Sequence, residues 1–431
     1  MNNPTVTVIG AGLAGVEAAH VLSKKGLKVR LREMKPEKYS PAHSYNGFAE
    51  LVCSNSFKGD SLTSASGLLK AEMRLLGSLV LEVAEATKVG AGGALAVDRK
   101  AFSDEITRRI KFDPNIEIIN GEVTDFPQKN AIIATGPLTS DRFAEEIGKK
   151  CKFLHFYDAA APIITLESVD ISKAFFGNRY GKDGNDYLNC PFTKEEYDIF
   201  YNELINAETV PLKSFENLNV YEGCMPVEIL AKRGRDSVRF GCMKPVGFTD
   251  PHNGKRPYAI VQLRPENDRK TLFNIVGFQT NLKFGEQERV FRLIPGLENA
   301  EFMRFGVMHR NTFLDSPRLL DRHFMLKGSD NVYFAGQITG TEGYTESAMS
   351  GIIAGLALSS ALGGETAVKI PETTITGALT RYISDPSVKN FQPLGANMGL
   401  LPPLGEKIKN KQERYERLSE RALRDMERIL K

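Results

Sequence analysis

Val6-Thr-Val-Ile-Gly-Ala-Gly-Leu-Ala-Gly15, continuing to Leu27-Lys-Val-Arg-Leu-Arg-Glu33, is the stretch that decides the fold. An apolar, β-rich run leads into Gly10, Gly12 and Gly15. A helix follows, and a second short strand ends on an acid about twenty residues further on. Gly10 permits the tight strand-to-helix turn, Gly12 lets a pyrophosphate approach the backbone, and Gly15 lets the helix pack close to the strand. The helix N-terminus presents free N–H groups and a positive dipole end to phosphates. Glu33 is placed to accept hydrogen bonds from a ribose diol. A glycine triplet alone is weak evidence; set between strand, helix, strand and acid, it predicts a bound dinucleotide.

Two further turns separate flavin from nicotinamide. Ala134-Thr-Gly136 ends a short apolar run, Ala131–Ala134, that has the form of a central parallel strand. Ala335-Gly-Gln337 ends a late strand, and a helix starting near Gly343–Ser347 follows it. A helix N-terminus there would face the pyrimidine ring of a flavin and stabilise its anionic reduced form. No second complete fingerprint exists for a separate nicotinamide domain. The expectation is tightly held FAD, contacted by Gly10, Gly12, Gly15, Glu33, Thr135, Gly136, Gly336, Gln337 and Gly343, with NAD(P)H as a visitor.

At 431 residues the chain can support two or three units around substantial cores. A net charge of only +3 gives no global argument for nucleic acid; a local basic surface would be needed. The chain enters a strand almost at once, without the segments of a signal peptide, and no apolar run approaches bilayer length. Five widely spaced cysteines with no C-x-x-C pair argue against a disulfide framework or a metal site. The reading is a cytoplasmic protein with no membrane contact and no metal, its oligomeric state unfixed and a monomer favoured.

The texture is βαβ over residues 1–35, helical over 66–86 and from Asp98 to Ile110, with a strand at Ile116–Ile119. From about residue 151 strand-like segments (Ile163–Glu167, Ser237–Phe240, Tyr258–Leu263, Thr271–Gly277) alternate with loops, around a helix at Lys194–Ile205. Parallel-sheet texture returns at Asn331–Gly336, and the last twenty-five residues form a charged helix. The expected class is α/β: a glutathione-reductase-like FAD-binding Rossmann domain with an inserted mixed α+β substrate domain. Residues 1–150 and 320–431 would make the first, and 151–319 the second.

An arbitrary cysteine is most often a buried, inert apolar side chain, and that reading serves for Cys151, Cys190 and Cys242. Cys53 and Cys224 stand apart. The first lies in Phe48-Ala-Glu-Leu-Val-Cys-Ser-Asn-Ser-Phe57, whose small polar residues suit a loop beneath a cofactor. The second lies in Tyr221-Glu-Gly-Cys-Met-Pro-Val-Glu228, in an expected exposed turn.

Taken with Ala91–Arg99, Lys244–Pro251, Gly254–Arg264, Ile275–Thr280, Met308–Thr312 and Phe391–Pro403, these segments resemble the bacterial FAD- and folate-dependent tRNA (uracil-5-)-methyltransferases over essentially the whole chain. A larger relative that modifies the wobble uridine shares the flavin motifs and Ala91–Arg99, but carries a C-terminal helical extension absent here. The resemblance implies methylation of uridine C5, with the T-loop uridine of tRNA as target and 5,10-methylenetetrahydrofolate as carbon donor. Reduced FAD would supply the hydride and NAD(P)H would recharge it. It implies Cys224 as the nucleophile that adds to uracil C6, making C5 nucleophilic. Cys53 would sit near the flavin and either remove the C5 proton or shield the reactive cofactor.

His252, Asn253, Cys242 and Leu394-Gly395 depart from the family pattern, and these departures fall on the substrate side. Lys244, Lys255, Arg256, Arg264, His309 and Arg310 are candidates for the folate tail or RNA phosphate, with a structural ion pair as the alternative for each. Two other functions stay open at this level: the same chemistry on ribosomal RNA, and an RNA-binding flavoprotein that does not methylate.

Overall fold

The computed structural model describes residues 4–151, 153–159, 161–181, 185–210, 225–267, 269–306, 308–389, 391–406 and 408–430; of these, 154–159, 181 and 308–311 are described by backbone alone. A five-stranded parallel sheet forms the centre of the first unit, in the order Asp330–Phe334, Lys129–Ile133, Thr5–Ile9, Lys28–Glu33, Ile116–Asn120. Val6, Val8, Val29, Leu31, Ile132, Ile133, Val332 and Phe334 are all buried, as a sheet covered on both faces requires.

The glycine turn folds as its spacing demands. Gly10 has φ +97°, a conformation that only glycine enters without strain. The helix Leu13–Lys24 follows, and a Cβ on Gly15 would run into the Gly10 carbonyl oxygen. The helix Tyr344–Leu362 is apolar nearly all round and lies against Leu13–Lys24. Gly351 and Gly355 make that approach possible, because a Cβ on either would press on Ala14 or Val21.

The helical stretch expected over 66–86 is two helices, Ala65–Leu75 and Leu79–Ala86. Gly77, at φ +76°, breaks them, and the Ser78 hydroxyl caps the second by accepting from Leu81 N–H. Two buried glutamate carboxyl groups cap helices from a distance. Glu17 accepts from the N–H groups of Leu79 and Val80, and Glu72 from those of Ile375 and Thr376.

The second unit is a six-stranded sheet in the order Phe175–Phe176, Leu188–Phe192, Ala259–Pro265, Leu272–Ile275, Ile163–Thr165, Phe302–Arg304, every pair antiparallel. It has its own hydrophobic cluster, built from residues such as Leu188, Phe200, Val261, Phe273 and Phe291. The helix Lys194–Asn206 covers it, opened by a capping box of Thr193 and Glu196. A two-stranded antiparallel ribbon, Phe153–Ala159 with Met308–Leu314, joins the units.

The expected strand at Ser237–Phe240 is instead the short helix Arg235–Phe240. Four residues are too few for periodicity to separate the two states. Gly234, at φ +149°, lets the chain turn into that helix, and Arg239 lies over the Tyr258 ring at 4.0 Å.

The C-terminal helix Lys411–Leu430 buries Leu418, Ala422 and Met426 at four-residue spacing and turns its charges outward. No helix among the described residues is long and apolar enough to cross a membrane.

Candidate functional site

The three glycine turns open onto one cleft of about 1180 Å³, a volume that includes open solvent. Gly10, Gly12, Glu33, Thr135, Gly136, Gly336 and Gln337 all line it. Gly15 stands behind it as a packing residue. Gly343 ends the approach to the helix whose residues Tyr344 and Ser347 reach the cleft.

The cleft is long, running from Glu33, Lys35, Ser40 and His43 at one end to Gln337, Tyr344 and Ser347 at the other. A Cβ built on Gly12 or on Gly136 would meet no atom within 4 Å, so open space lies directly before both backbones. The first-turn N–H groups of the helix after Gly12 have no partners within that helix. This arrangement fits an extended dinucleotide, with the phosphates at Gly12.

Glu33 is buried, and its two oxygens accept from the N–H groups of Ala11 (2.7 Å) and Lys35 (3.0 Å). It therefore braces the glycine turn from below while facing the cleft. Lys35 is buried too, donating to the carbonyls of Tyr45 and Gly47, which fixes the loop at this end. His43 Nδ1 lies 2.5 Å from Ser40 Oγ, and burial lowers the pKa of its imidazole.

At the opposite end, Cys53 meets Tyr344. The phenol oxygen accepts from the N–H groups of Cys53 (2.9 Å) and Ser54 (3.1 Å), and lies 3.0 Å from Cys53 Sγ. Burial raises the Tyr344 pKa well above its usual value, so the phenol keeps its proton. With both backbone groups donating to the oxygen, that proton points at the sulfur.

The Cys53 loop is also held from the inserted sheet. Arg264 donates from Nε to Asn55 Oδ1 (3.0 Å) and from Nη2 to Ser54 Oγ (2.7 Å). Asn55 donates back to Pro265 O at 3.0 Å. Arg99 pairs with Glu266 and donates to the carbonyls of Leu51 (2.5 Å) and Val52 (3.2 Å). Arg264, a candidate for folate or phosphate from sequence, is thus a buried link between the units.

Lys244, Lys255 and Arg256 are exposed, while the side chains of His309 and Arg310 and all of Cys224 lie outside the described residues. Cys151, Cys190 and Cys242 behave as apolar residues. Burial pushes the first thiol up to about 11, the third up to about 12, and raises the second further still.

Tyr344, Asn55 and Glu266 were not singled out from sequence. The usable signals were the aromatic residue directly after Gly343 at a helix start, and the polar pair Ser54-Asn55 following the cysteine. Among the described residues no group of His, Cys, Asp and Glu is arranged to hold a metal ion.

The family model for glucose inhibited division protein A matches residues 5–366. The methylenetetrahydrofolate--tRNA-(uracil-5-)-methyltransferase TrmFO of Acetivibrio thermocellus is 56% identical over 424 residues, covering 97% of each chain. The protein of the same name from Bacillus subtilis is 52% identical over 433 residues, covering 100% of each.

The chain belongs to this methyltransferase family.

The solved structure of Aquifex aeolicus GidA shares the fold, with a TM-score of 0.71 at 16% identity, covering 99% of this chain and 74% of that one. The Bacillus subtilis protein is matched over 100% of each chain, so the C-terminal helix Lys411–Leu430, beyond the reach of the family model, lies within the region of likeness to TrmFO.

Proposed function

We propose that this chain methylates C5 of a uridine in tRNA, the T-loop uridine being the target, with 5,10-methylenetetrahydrofolate as carbon donor and FAD as resident cofactor. The observation that carries this reading is the junction of the dinucleotide cleft with the Cys53–Tyr344 pair, in a chain more than half identical to enzymes named for that reaction. When bound in the cleft, FAD supplies the hydride that reduces the transferred one-carbon unit to methyl, and NAD(P)H restores it.

The chain's own residues divide the rest of the work. Gly10, Gly12 and the first turn of Leu13–Lys24 receive the pyrophosphate, and Glu33 the adenosine ribose. Thr135, Gly136, Gly336 and Gln337 line the path toward the ring, and the helix after Gly343 directs its positive end there. Cys224 adds as a thiolate to uracil C6: the S–C6 bond forms and the C5–C6 π pair moves toward O4, giving an enolate whose C5 attacks the one-carbon electrophile. Cys53, oriented by Tyr344, removes the C5 proton as the bond between the one-carbon unit and its carrier nitrogen breaks, and hydride then reduces the resulting C5 methylene to methyl. Elimination of the thiolate from C6 then restores the aromatic ring.

The test is direct. Purified protein, methylenetetrahydrofolate, NADPH and an unmodified tRNA transcript should yield 5-methyluridine at one position by nuclease mapping and mass spectrometry. Product formed from S-adenosylmethionine in place of the folate, or none at all, contradicts the reading.

A further inference from the structure

The sheet of the inserted unit has two unlike faces. Ile164, Val261, Leu263, Phe273 and Ile275 point into that unit's hydrophobic cluster. The alternate residues point the other way, as strand geometry requires. Arg264 is directly opposite Asn274, Asn274 opposite Ile163, and Ile163 opposite Arg304. Directly opposed residues of antiparallel strands share a face. The four therefore form one row across four strands, and Thr165, two residues beyond Ile163, lies on the same face.

A register irregularity between Phe302 and Arg304 helps to make this row. Phe302 is opposite Ile164 and lies against the apolar cluster, yet Arg304, two positions on, is opposite Ile163. Bulges re-aim side chains in this way.

This polar face is the one turned toward the Cys53 loop, because Arg264 touches Ser54 and Asn55 and Glu266 pairs with Arg99. Thr165 Oγ1, Asn274 Nδ2 and both Nε and Nη2 of Arg304 are shielded from solvent and have no hydrogen-bond partner among the described residues. Nε and Nη2 form the side-on edge of a guanidinium, the edge that grips two acceptor lone pairs at once. Glu266 is engaged by Arg99 and Arg264 relies on neutral acceptors, so among the described residues neither Arg264 nor Arg304 has a carboxylate in salt-bridge contact. Burial and the neighbouring Arg99 lower the Arg304 pKa, while Glu266, Tyr344 and Cys53 act in the opposite sense. Buried polar groups without partners are rare, and a cluster of them on one face calls for a ligand.

We propose that Thr165, Asn274 and Arg304 bind the carbonyl edge of the target uracil, with the Arg304 side-on edge on O4, where negative charge gathers when a thiolate adds to C6. This rests on the uridine reading above. The chemistry selects the base over the other components. Uracil presents two carbonyl oxygens flanking one N–H, a set that amide and guanidinium donors and one hydroxyl acceptor can satisfy. A pterin offers a single carbonyl beside N3–H and an amino group, so it presents one carbonyl fewer to these donors than uracil does. RNA phosphates stay at the surface, whereas these nitrogens are buried. Arg304 thus acts as a preorganised donor to the developing enolate.

The test is single-turnover release of tritium from a tRNA stem-loop carrying [5-³H]uridine at the target, at saturating folate and RNA. Removing one such donor slows related chemistry roughly 100- to 1000-fold. Arg304→Met should show that loss, and Arg304→Lys should rescue it only partly because the paired edge is gone. Flavin content, flavin reduction by NADPH and RNA affinity should stay within about twofold. Wild-type rates in Arg304→Met, or a defect confined to the folate KM, overturn the proposal. If Arg304→Met loses its flavin, Asn274→Ala decides: about tenfold slower release supports the assignment, and an unchanged rate overturns it. No release from the wild-type protein on any tRNA would instead sink the uridine reading.

Discussion

Cys53 Sγ lies 3.0 Å from Tyr344 Oη across 291 positions of sequence, at the end of the cleft that the late helix faces. The same phenol oxygen accepts two backbone N–H groups of the cysteine loop, so one hydroxyl sets both the position and the hydrogen-bond environment of the thiol.

Tyr344→Phe removes that hydroxyl and strands two N–H groups. A buried donor left unsatisfied costs about 1–3 kcal/mol. The variant should therefore lose stability on that scale in urea unfolding while keeping its flavin. Cys53 should react roughly tenfold more slowly with iodoacetamide at neutral pH, measured at its own peptide by mass spectrometry, because a hydrogen bond to the charged sulfur is lost. An unchanged alkylation rate would contradict the orientation of the phenol proton.

Gly12 and Gly15 should fail in different ways. Open space lies before Gly12, so Gly12→Val should fold and be purified colourless, its side chain standing in the phosphate path. Gly15→Ala meets the Gly10 carbonyl directly and should damage the fold itself, seen as a large drop in melting temperature of the flavin-free protein. A yellow Gly12→Val protein would refute the phosphate assignment.

Glu17 and Glu72 give the stability a pH signature. Burial raises each carboxyl to about 7, against the lowering effect of the hydrogen bonds each accepts. The native state then holds these protons up to about pH 7, while the unfolded chain releases them near 4.5. Between those values the native state binds more protons, so these two groups make stability fall as pH rises through that window and level off above it. Glu17→Gln and Glu72→Gln should each flatten this slope, by on the order of 1–3 kcal/mol across the window in urea titrations.

Cys224→Ala should keep its yellow colour and its reduction by NADPH, yet form no covalent complex with a stem-loop containing 5-fluorouridine. Retained capture on denaturing gels would move the nucleophile elsewhere.

The backbone of the cofactor cleft was legible because its constraints are local. Gly10, Gly12, Gly15 and Glu33 sit within one βαβ unit, and each departs from ordinary composition for a steric or hydrogen-bonding reason visible at short range. The apolar runs at 131–134 and 331–335 were equally readable, since a strand covered on both faces has no polar alternation to obscure it. The inner wall of the site was not legible. Tyr344 reaches Cys53, and Arg264 reaches Ser54, only through tertiary packing between segments about 210 to 290 residues apart. A lone arginine in sequence looks the same whether it meets solvent, phosphate or a buried asparagine. The helix at Arg235–Phe240 was misread for a related reason: six residues bounded by glycines carry too few periods to distinguish the two regular structures.

The ribbon that joins the two units has a further consequence. Phe153 is the register partner of Leu314, so the polypeptide leaves the nucleotide-binding core and re-enters it at neighbouring points, one strand spacing apart. The whole six-stranded sheet is in effect a very long hairpin tip. No strand of the five-stranded parallel sheet lies within it, and a tight turn at that point would close the remaining chain.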